Sequence, residues 1–331
     1  MNIDYKDSIK EYSRSLGLEM VGFSRCRTYS ELVPYLKKRQ DGHTQNEFED
    51  NDINRRINPF LYMKDGKTVV SIAFPYFHAE DDCHDEGQGY FSKYTLGMDY
   101  HAAVSNYLKR ICSHIEALGG KAVYFVDSSS LPERFIASLS GIGFIGKNNM
   151  LITSEYGSYV FLGEIITDLE IEADTPAVSS CGSCSLCIEA CPTGSLKQDN
   201  PNICLSYITQ KKELEDSWLS MLGGRLFGCD TCQDVCPYNK AAKESLLECF
   251  RPFDFMCRPD LIGLILMSNS EFRDKYNKTS CSWRGRVNLQ RNALICLFHY
   301  DSEAGKRIKE EDLASPKLKD IYNRLLSIYK L

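Results

Sequence analysis

Four cysteines at fixed spacing, Cys181-x2-Cys184-x2-Cys187-x3-Cys191 followed by Pro192, constrain this chain more than any other feature. Two-residue gaps let one loop wrap three corners of an iron–sulfur cubane, and the fourth cysteine of such a run ligates a second cluster when two are present. A second set, Cys229-x2-Cys232-x3-Cys236 with Pro237 behind it, and Cys204 standing alone upstream, bring the candidate thiolates to eight. The crossing rule gives one [4Fe–4S] cluster to Cys181, Cys184, Cys187 and Cys236, and the other to Cys191, Cys204, Cys229 and Cys232. The competing reading is a pair of zinc sites, because C-x2-C pairs also bind zinc; zinc ribbons do not use the four-cysteine run with its proline. Two clusters mean electron transfer, to a destination the cysteines do not name.

Cysteine is also the compositional outlier, at 15 residues. The opening MNIDYKDSIK has mixed charge and no apolar stretch, so no export signal is expected, and reduced thiols holding metal fit better than a disulfide framework. Cys26, Cys83, Cys112, Cys249, Cys257, Cys281 and Cys296 lack ligand spacing and read mostly as small buried residues. No apolar run approaches the ~20 residues of a membrane span. A soluble, cytoplasmic protein with no membrane partner is the expectation.

The length of 331 residues suggests two or three domains. The spacing predicts α+β structure over 1–174, a cluster domain over 175–241 after the small Pro-containing linker 172–180, and a helical segment over 242–331. Lys67–Phe74, Ala122–Val126 and Tyr159–Ile166 read as buried strands. Val104, Leu108, Ile111, Ile115 and Leu118 recur at helical spacing and stop at Gly119-Gly120. Ser130-Leu-Pro-Glu133 has the capping-box pattern and should start a helix. Asp127 then falls at a strand end, facing the sheet edge where α/β sites gather rather than bulk water. Helices are predicted over 260–267, 271–276, 287–300 and 316–330.

Around these elements stand Arg56-Ile-Asn-Pro59, Gly97-Met-Asp-Tyr-His101, Val126-Asp-Ser128, Glu133-Arg134, Gly141-Ile-Gly-Phe144, Lys147-Asn148, Glu155-Tyr-Gly-Ser-Tyr159, Ser282-Trp-Arg-Gly-Arg286 and Gln290-Arg-Asn292. In this order, with the eight cysteines, the chain resembles the epoxyqueuosine reductases over about residues 50–300. The resemblance implies a nitroreductase-like cobalamin domain, a two-cluster bacterial ferredoxin-like domain and a HEAT-like helical tail. It implies reduction of the epoxide of epoxyqueuosine at the wobble base of tRNA, the last step of queuosine synthesis. Asp127 would be the general acid, and Arg56, Ser92, Arg134, Leu151, Leu162, Ser206 and Asp230 would line the cobalamin pocket with it. Cobalamin would bind base-off, without a protein ligand. An external low-potential electron donor and a monomeric chain go with that reading. Longer members continue into further helical repeats, so the grip on tRNA is expected to be weaker or arranged differently here. The chemistry agrees from below: reductive epoxide opening needs low-potential electrons, a relay to deliver them singly, and a proton for the leaving alkoxide.

Asp82-Cys-His84-Asp-Glu-Gly87 matches the motif by which some cobalamin enzymes ligate cobalt through histidine. It lies in an acidic stretch without the downstream Gly-Gly, and His84 reads as a surface histidine. The net charge is −6, so any nucleic-acid contact must be local. From residue 241 onward there are 16 Lys+Arg against 12 Asp+Glu. Lys275, Lys278, Arg284, Arg286 and Arg291 surround Trp283, a mix suited to phosphates and an unstacked base, and Lys211 and Lys212 could reach the same strand. Arg284, Arg286, Arg291, Lys211 and Lys212 are the expected tRNA contacts. The rival enzyme reading is a corrinoid and iron–sulfur reductase of the reductive dehalogenase type; a plain electron carrier would not need some 170 residues ahead of its clusters.

Overall fold

A computed structural model describes residues 4–81 and 87–329. Its strands, in chain order, are β1 (Val21–Arg25), β2 (Thr68–Pro75), β3 (Tyr90–Phe91), β4 (Ala122–Phe125), β5 (Phe144–Ile145), β6 (Leu151–Ile152), β7 (Val160–Thr167) and β8 (Arg225–Phe227). Four of them form the main sheet in the order β1-β2-β7-β4. Every pairing in it is antiparallel. The chain is therefore a mixed helix-and-sheet protein, and the strand-end rule for parallel α/β sheets does not apply at Asp127.

The sheet is covered on both faces, which explains why β2 reads as a continuous apolar run and is buried at every residue. Alternation sends Val70, Ile72 and Phe74 to one face, where they meet Val104, Leu108, Ile111 and Ile115 of the Tyr100–Ala117 helix. Gly163 on β7 lets that helix approach: a Cβ there would stand 2.7 Å from Leu108 Cδ1. The other face, with Val69, Ile166 and Phe125, packs on Ile136 of the Glu133–Leu139 helix. β1 and the Tyr5–Ser15 helix before it were not foreseen; Val-Gly-Phe-Ser-Arg is too short and too interrupted to carry a strand period.

The expected helix start at Ser130 is corrected. Pro132 occupies the N-cap without a side-chain cap. Ser130 Oγ instead donates to Asp50 Oδ2 at 2.6 Å. Glu133 Oε1 accepts from the Asp127 N–H, also at 2.6 Å. The Ser–Glu box is thus opened so that the glutamate can hold the Asp127 turn.

Beyond the sheet, Leu205, Ile208, Leu219, Leu222, Leu226 and Phe227 share one apolar core with Met256, Leu264, Phe272, Leu294 and Leu325. That core crosses the expected 241/242 junction, because Asn292 on the Arg286–Tyr300 helix donates to the carbonyls of Thr209 and Leu226 at 2.8 and 2.7 Å. The predicted C-terminal helices form as Leu261–Leu266, Asn269–Tyr276, Arg286–Tyr300 and Pro316–Ile328. The second of these starts with a true capping box, Ser268 and Glu271. Among the described residues, no helix is long and apolar enough to cross a membrane. His84 and Cys83 lie outside the described residues.

Candidate active site and cluster centres

Asp127 closes the turn after β4 with φ +46°, left-handed backbone that an aspartate tolerates but that costs about 1–3 kcal/mol. Its side chain is 63% exposed, not turned from water as expected. Tyr100 donates its hydroxyl to Asp127 Oδ2 at 2.6 Å. The Tyr100 ring is fixed by stacking on Phe161, with centroids 4.5 Å apart, and on His101 at 4.1 Å. His101 Nε2 stands 3.9 Å from Asp127 Oδ2, and its Nδ1 meets Asp99 Oδ1 at 2.9 Å. The Asp99 hydrogen bond holds the His101 pKa above its ordinary value, against burial; the negative charges of Asp99, Asp127 and Glu133 act in the same direction as that bond. Burial first, then Asp127, pushes the Tyr100 phenol up, so it remains a donor.

Two further acids stand behind Asp127. Burial, then the Asp127 charge, pushes Glu133 up to about 8. Glu164 is 1% exposed, on the β7 face shared with Ser71 and Phe125. Both its carboxyl oxygens lack a hydrogen-bond partner, as do Ser71 Oγ, Ser24 Oγ and Tyr29 Oη. Burial, with Glu133 and Asp127 adding to it, holds the Glu164 pKa far above the carboxylate range, so this acid is neutral in the folded chain. An unfolded chain releases that proton above about pH 4.3. The folded chain binds more protons from there upward, so Glu164 lowers stability progressively as pH rises. Glu164→Gln removes the titration. Its stability gain over the native chain should grow from pH 5 to pH 8, by up to about 1.4 kcal/mol per pH unit. Urea unfolding at the two pH values checks this; a gap independent of pH would place an ionised Glu164 in the fold.

For three of the eight motif cysteines the surrounding thiols can be named. The Cys187 thiol is pushed up by burial and then by Cys181, Cys236 and Cys184. The Cys204 thiol is likewise pushed up by burial, with Cys229 and Cys191 adding to it. Burial and then Cys204, Cys229, Asp230 and Cys187 do the same to Cys232, so this thiol has neighbours in both expected sets. All eight are unpaired thiols. Among the described residues, no three His, Cys, Asp or Glu converge tightly enough for a single metal ion; a four-iron cubane asks for a wider set. The donor chemistry, eight free motif thiols, suits iron–sulfur cubanes. Of the remaining cysteines, Cys26, Cys112, Cys281 and Cys296 are buried, and Cys249 is half-buried.

The residues expected around cobalamin divide. Arg134 is exposed beside Asp127, its guanidinium donating to the Asn149 carbonyl. Arg56 is half-buried and ion-paired with Glu49 at 3.2 Å. Leu162 and Ser206 are half-buried too. Next to Asn149, the buried Asn148 Nδ2 has no partner, a free amide donor suited to the amide rim of a corrin. Ser92, Leu151 and Asp230 are buried. Ser92 Oγ and the Lys93 N–H both donate to Asp230.

The basic residues also divide. Arg291 is 4% exposed, donating to the carbonyls of Lys211 at 2.5 Å and Thr209 at 3.1 Å. Arg286 donates to Met267 O at 2.6 Å and Arg284 to Gln210 O at 2.6 Å. Of these arginines, expected on phosphates, Arg284 and Arg291 tie the helical segment to the cluster domain, while Arg286 is engaged within the helical segment. Arg284 also lies 4.6 Å from the Trp283 ring and 5.1 Å from Phe48. Trp283 is 55% exposed and Phe48 40%, an open aromatic patch. Lys212 is exposed and Lys211 half-buried, with Lys211 Nζ over Tyr207.

Comparison with known proteins gives two family profiles. Epoxyqueuosine reductase QueG, DUF1730 matches residues 56–128, and the 4Fe-4S double cluster binding domain matches 180–239. The epoxyqueuosine reductase of Bacillus subtilis is 37% identical over 311 residues, covering 91% of this chain and 81% of that protein. An epoxyqueuosine reductase crystallised with an epoxyqueuosine-modified tRNA-Tyr stem loop aligns at TM-score 0.88 and 31% identity, covering 98% of this chain and 99% of the other. A Bacillus subtilis structure whose catalytic aspartate loop is swung out of the active site aligns at 0.86 and 30%, with coverage of 98% and 99%.

Proposed function

The chain belongs to the epoxyqueuosine reductase family, and we propose on that footing that it reduces epoxyqueuosine to queuosine at the wobble position of tRNA. The observation that carries this is an open carboxylate, Asp127, held by Tyr100 in the same molecule as two four-cysteine sets. No observation favours a dehalogenase.

The cofactor reading follows the family: base-off cobalamin and two [4Fe–4S] clusters, in a nitroreductase-like sheet domain followed by ferredoxin-like and HEAT-like parts. Cobalamin, when bound, would supply the strong low-potential nucleophile or reductant that epoxide opening requires. Arg134, Arg56, Asn148 and Leu162 are the residues left to hold it, while Ser92 and Asp230 support the wall from within. Asp127, in its protonated form, gives the leaving alkoxide its proton and is left as the carboxylate. Tyr100 orients the carboxyl, and Glu133, protonated near neutral pH, holds the Asp127 N–H and with it the turn. The loop that swings in the Bacillus subtilis relative is consistent with an acid carried on a strained turn rather than on a strand.

For tRNA, Lys211, Lys212 and the open face of Trp283 take the place of the internally engaged arginines. Lys211→Ala with Lys212→Ala should flatten the salt dependence of tRNA binding by about two units and leave the thermal midpoint unchanged. A filter-binding series across salt decides it; an unaltered slope removes both lysines from the interface. The function itself is tested by mass spectrometry of tRNA nucleosides from a strain lacking this protein. Epoxyqueuosine should accumulate and disappear on complementation; normal queuosine in the deletion strain would overturn the assignment.

A further inference from the structure

Arg225, on β8, has an unusual partner. Its Nε donates to Cys229 Sγ at 3.3 Å. Its other nitrogens reach Leu222 O at 3.2 Å and Thr231 Oγ1 at 3.0 Å. Thr231 Oγ1 is itself 3.4 Å from the same sulfur. The guanidinium lies over the Tyr90 ring at 5.7 Å. Among the described residues no carboxylate pairs with it; the side chain that its Nε meets is the Cys229 sulfur. A guanidinium drawn out of water without a carboxylate is costly unless other negative charge replaces one. Four thiolates around a four-iron core carry a net charge of about −2 and supply it.

The other cysteine set is treated differently. There Lys147 Nζ donates to the carbonyls of Gly182 and Cys184, both at 2.8 Å, and not to sulfur. Its loop is open to solvent at Gly182 and Ser183. The set containing Cys204 and Cys229 is the inner one in that Cys229 packs against the shared apolar core and Cys204 caps the short helix whose Leu205 and Ile208 are buried in it. Half-buried Tyr94, packed against both the sheet core and the C-terminal core, feels the charges of Asp230, Asp127 and Cys204 together.

We propose that Arg225 makes the Cys191, Cys204, Cys229 and Cys232 cluster the stronger electron acceptor of the two, by donating to its Cys229 sulfur and placing a positive charge beside it. Hydrogen bonds to cluster sulfurs and local charge both set reduction potential. The inference rests on the two-cluster reading. Its consequence is a one-electron equilibrium between the sets: one loses an electron, the other gains it, and no bond or proton changes. The electron enters from an external low-potential one-electron donor, at the exposed set, and Arg225 biases it inward.

The test is an EPR-monitored redox titration of the full chain with both clusters reconstituted, its iron and sulfide assayed first. Absence of iron would fail the cluster reading and leave the titration with nothing to measure, so the two failures are separable. Cys204→Ala identifies which signal belongs to the inner cluster. Arg225→Leu should lower that cluster's potential by about 59 mV, a tenfold loss in the one-electron equilibrium constant, with the other cluster unchanged. Arg225→Lys, keeping the charge, should recover part of the shift, and it decides the matter if the leucine variant fails to hold its iron. An inner-cluster potential unmoved in both variants, or a shift confined to the outer cluster, would overturn the proposal.

Discussion

Asp127→Asn should fold, bind its cofactors and convert epoxyqueuosine at least ~10²-fold more slowly than the native chain, the usual range for a positioned general acid being 10²–10⁴. The substitution suits the geometry. Asparagine tolerates the left-handed backbone at φ +46° and still accepts from the Tyr100 hydroxyl. What it cannot do is give up a proton. The bland alternative, a helix-capping aspartate, is weakened by the fold: the following helix is capped at Pro132, and the Asp127 N–H is turned toward Glu133. A capping role would in any case survive in asparagine. Single-turnover assays with chemically reduced cofactor isolate the proton step from electron delivery. Near-native turnover there would remove Asp127 from the chemistry.

The sheet was legible wherever both its faces were buried. β2 and β7 announce themselves as unbroken apolar runs, and their observed bounds, Thr68–Pro75 and Val160–Thr167, lie within one residue of the expected ones. Strand direction was not legible, because burial on both faces is a property of covered sheets of either kind. The site was legible in residue type and less so in environment. Asp127 could be named from its motif, but its exposure depends on a turn that Glu133 holds across six residues, and the same glutamate reads equally well as a cap. Glu164 was hidden inside a strand: a single charged residue in an apolar run normally marks a solvent edge, and here the covering helix makes it interior. The arginines misled for a related reason. A guanidinium has five donors, and carbonyls at helix ends compete with phosphate for them, so Arg291 and Arg286 are spent within the fold. Arg225 carried no signal, since its partner Cys229 becomes special only through its cluster role.

Cys204→Ala should cost one of two clusters and leave the other. The argument is the local structure at Cys204. It stands apart from both C-x2-C runs, between the turn Pro201–Ile203 and the short helix Leu205–Ile208. Leu205 and Ile208 anchor that helix in the shared C-terminal core, so the backbone carrying the thiol is set by packing, not by metal. Its thiol neighbours are Cys229 and Cys191, whereas Cys181, Cys184 and Cys236 gather about Cys187. The anaerobically reconstituted native chain should carry about eight iron and eight sulfide, and the variant about half of each, with the remaining signal unaltered. Loss of all iron would mean that the two sets form only together. Two zinc and no acid-labile sulfide in the native chain would sink the cluster assignment and, with it, the electron path on which reduction at Asp127 depends.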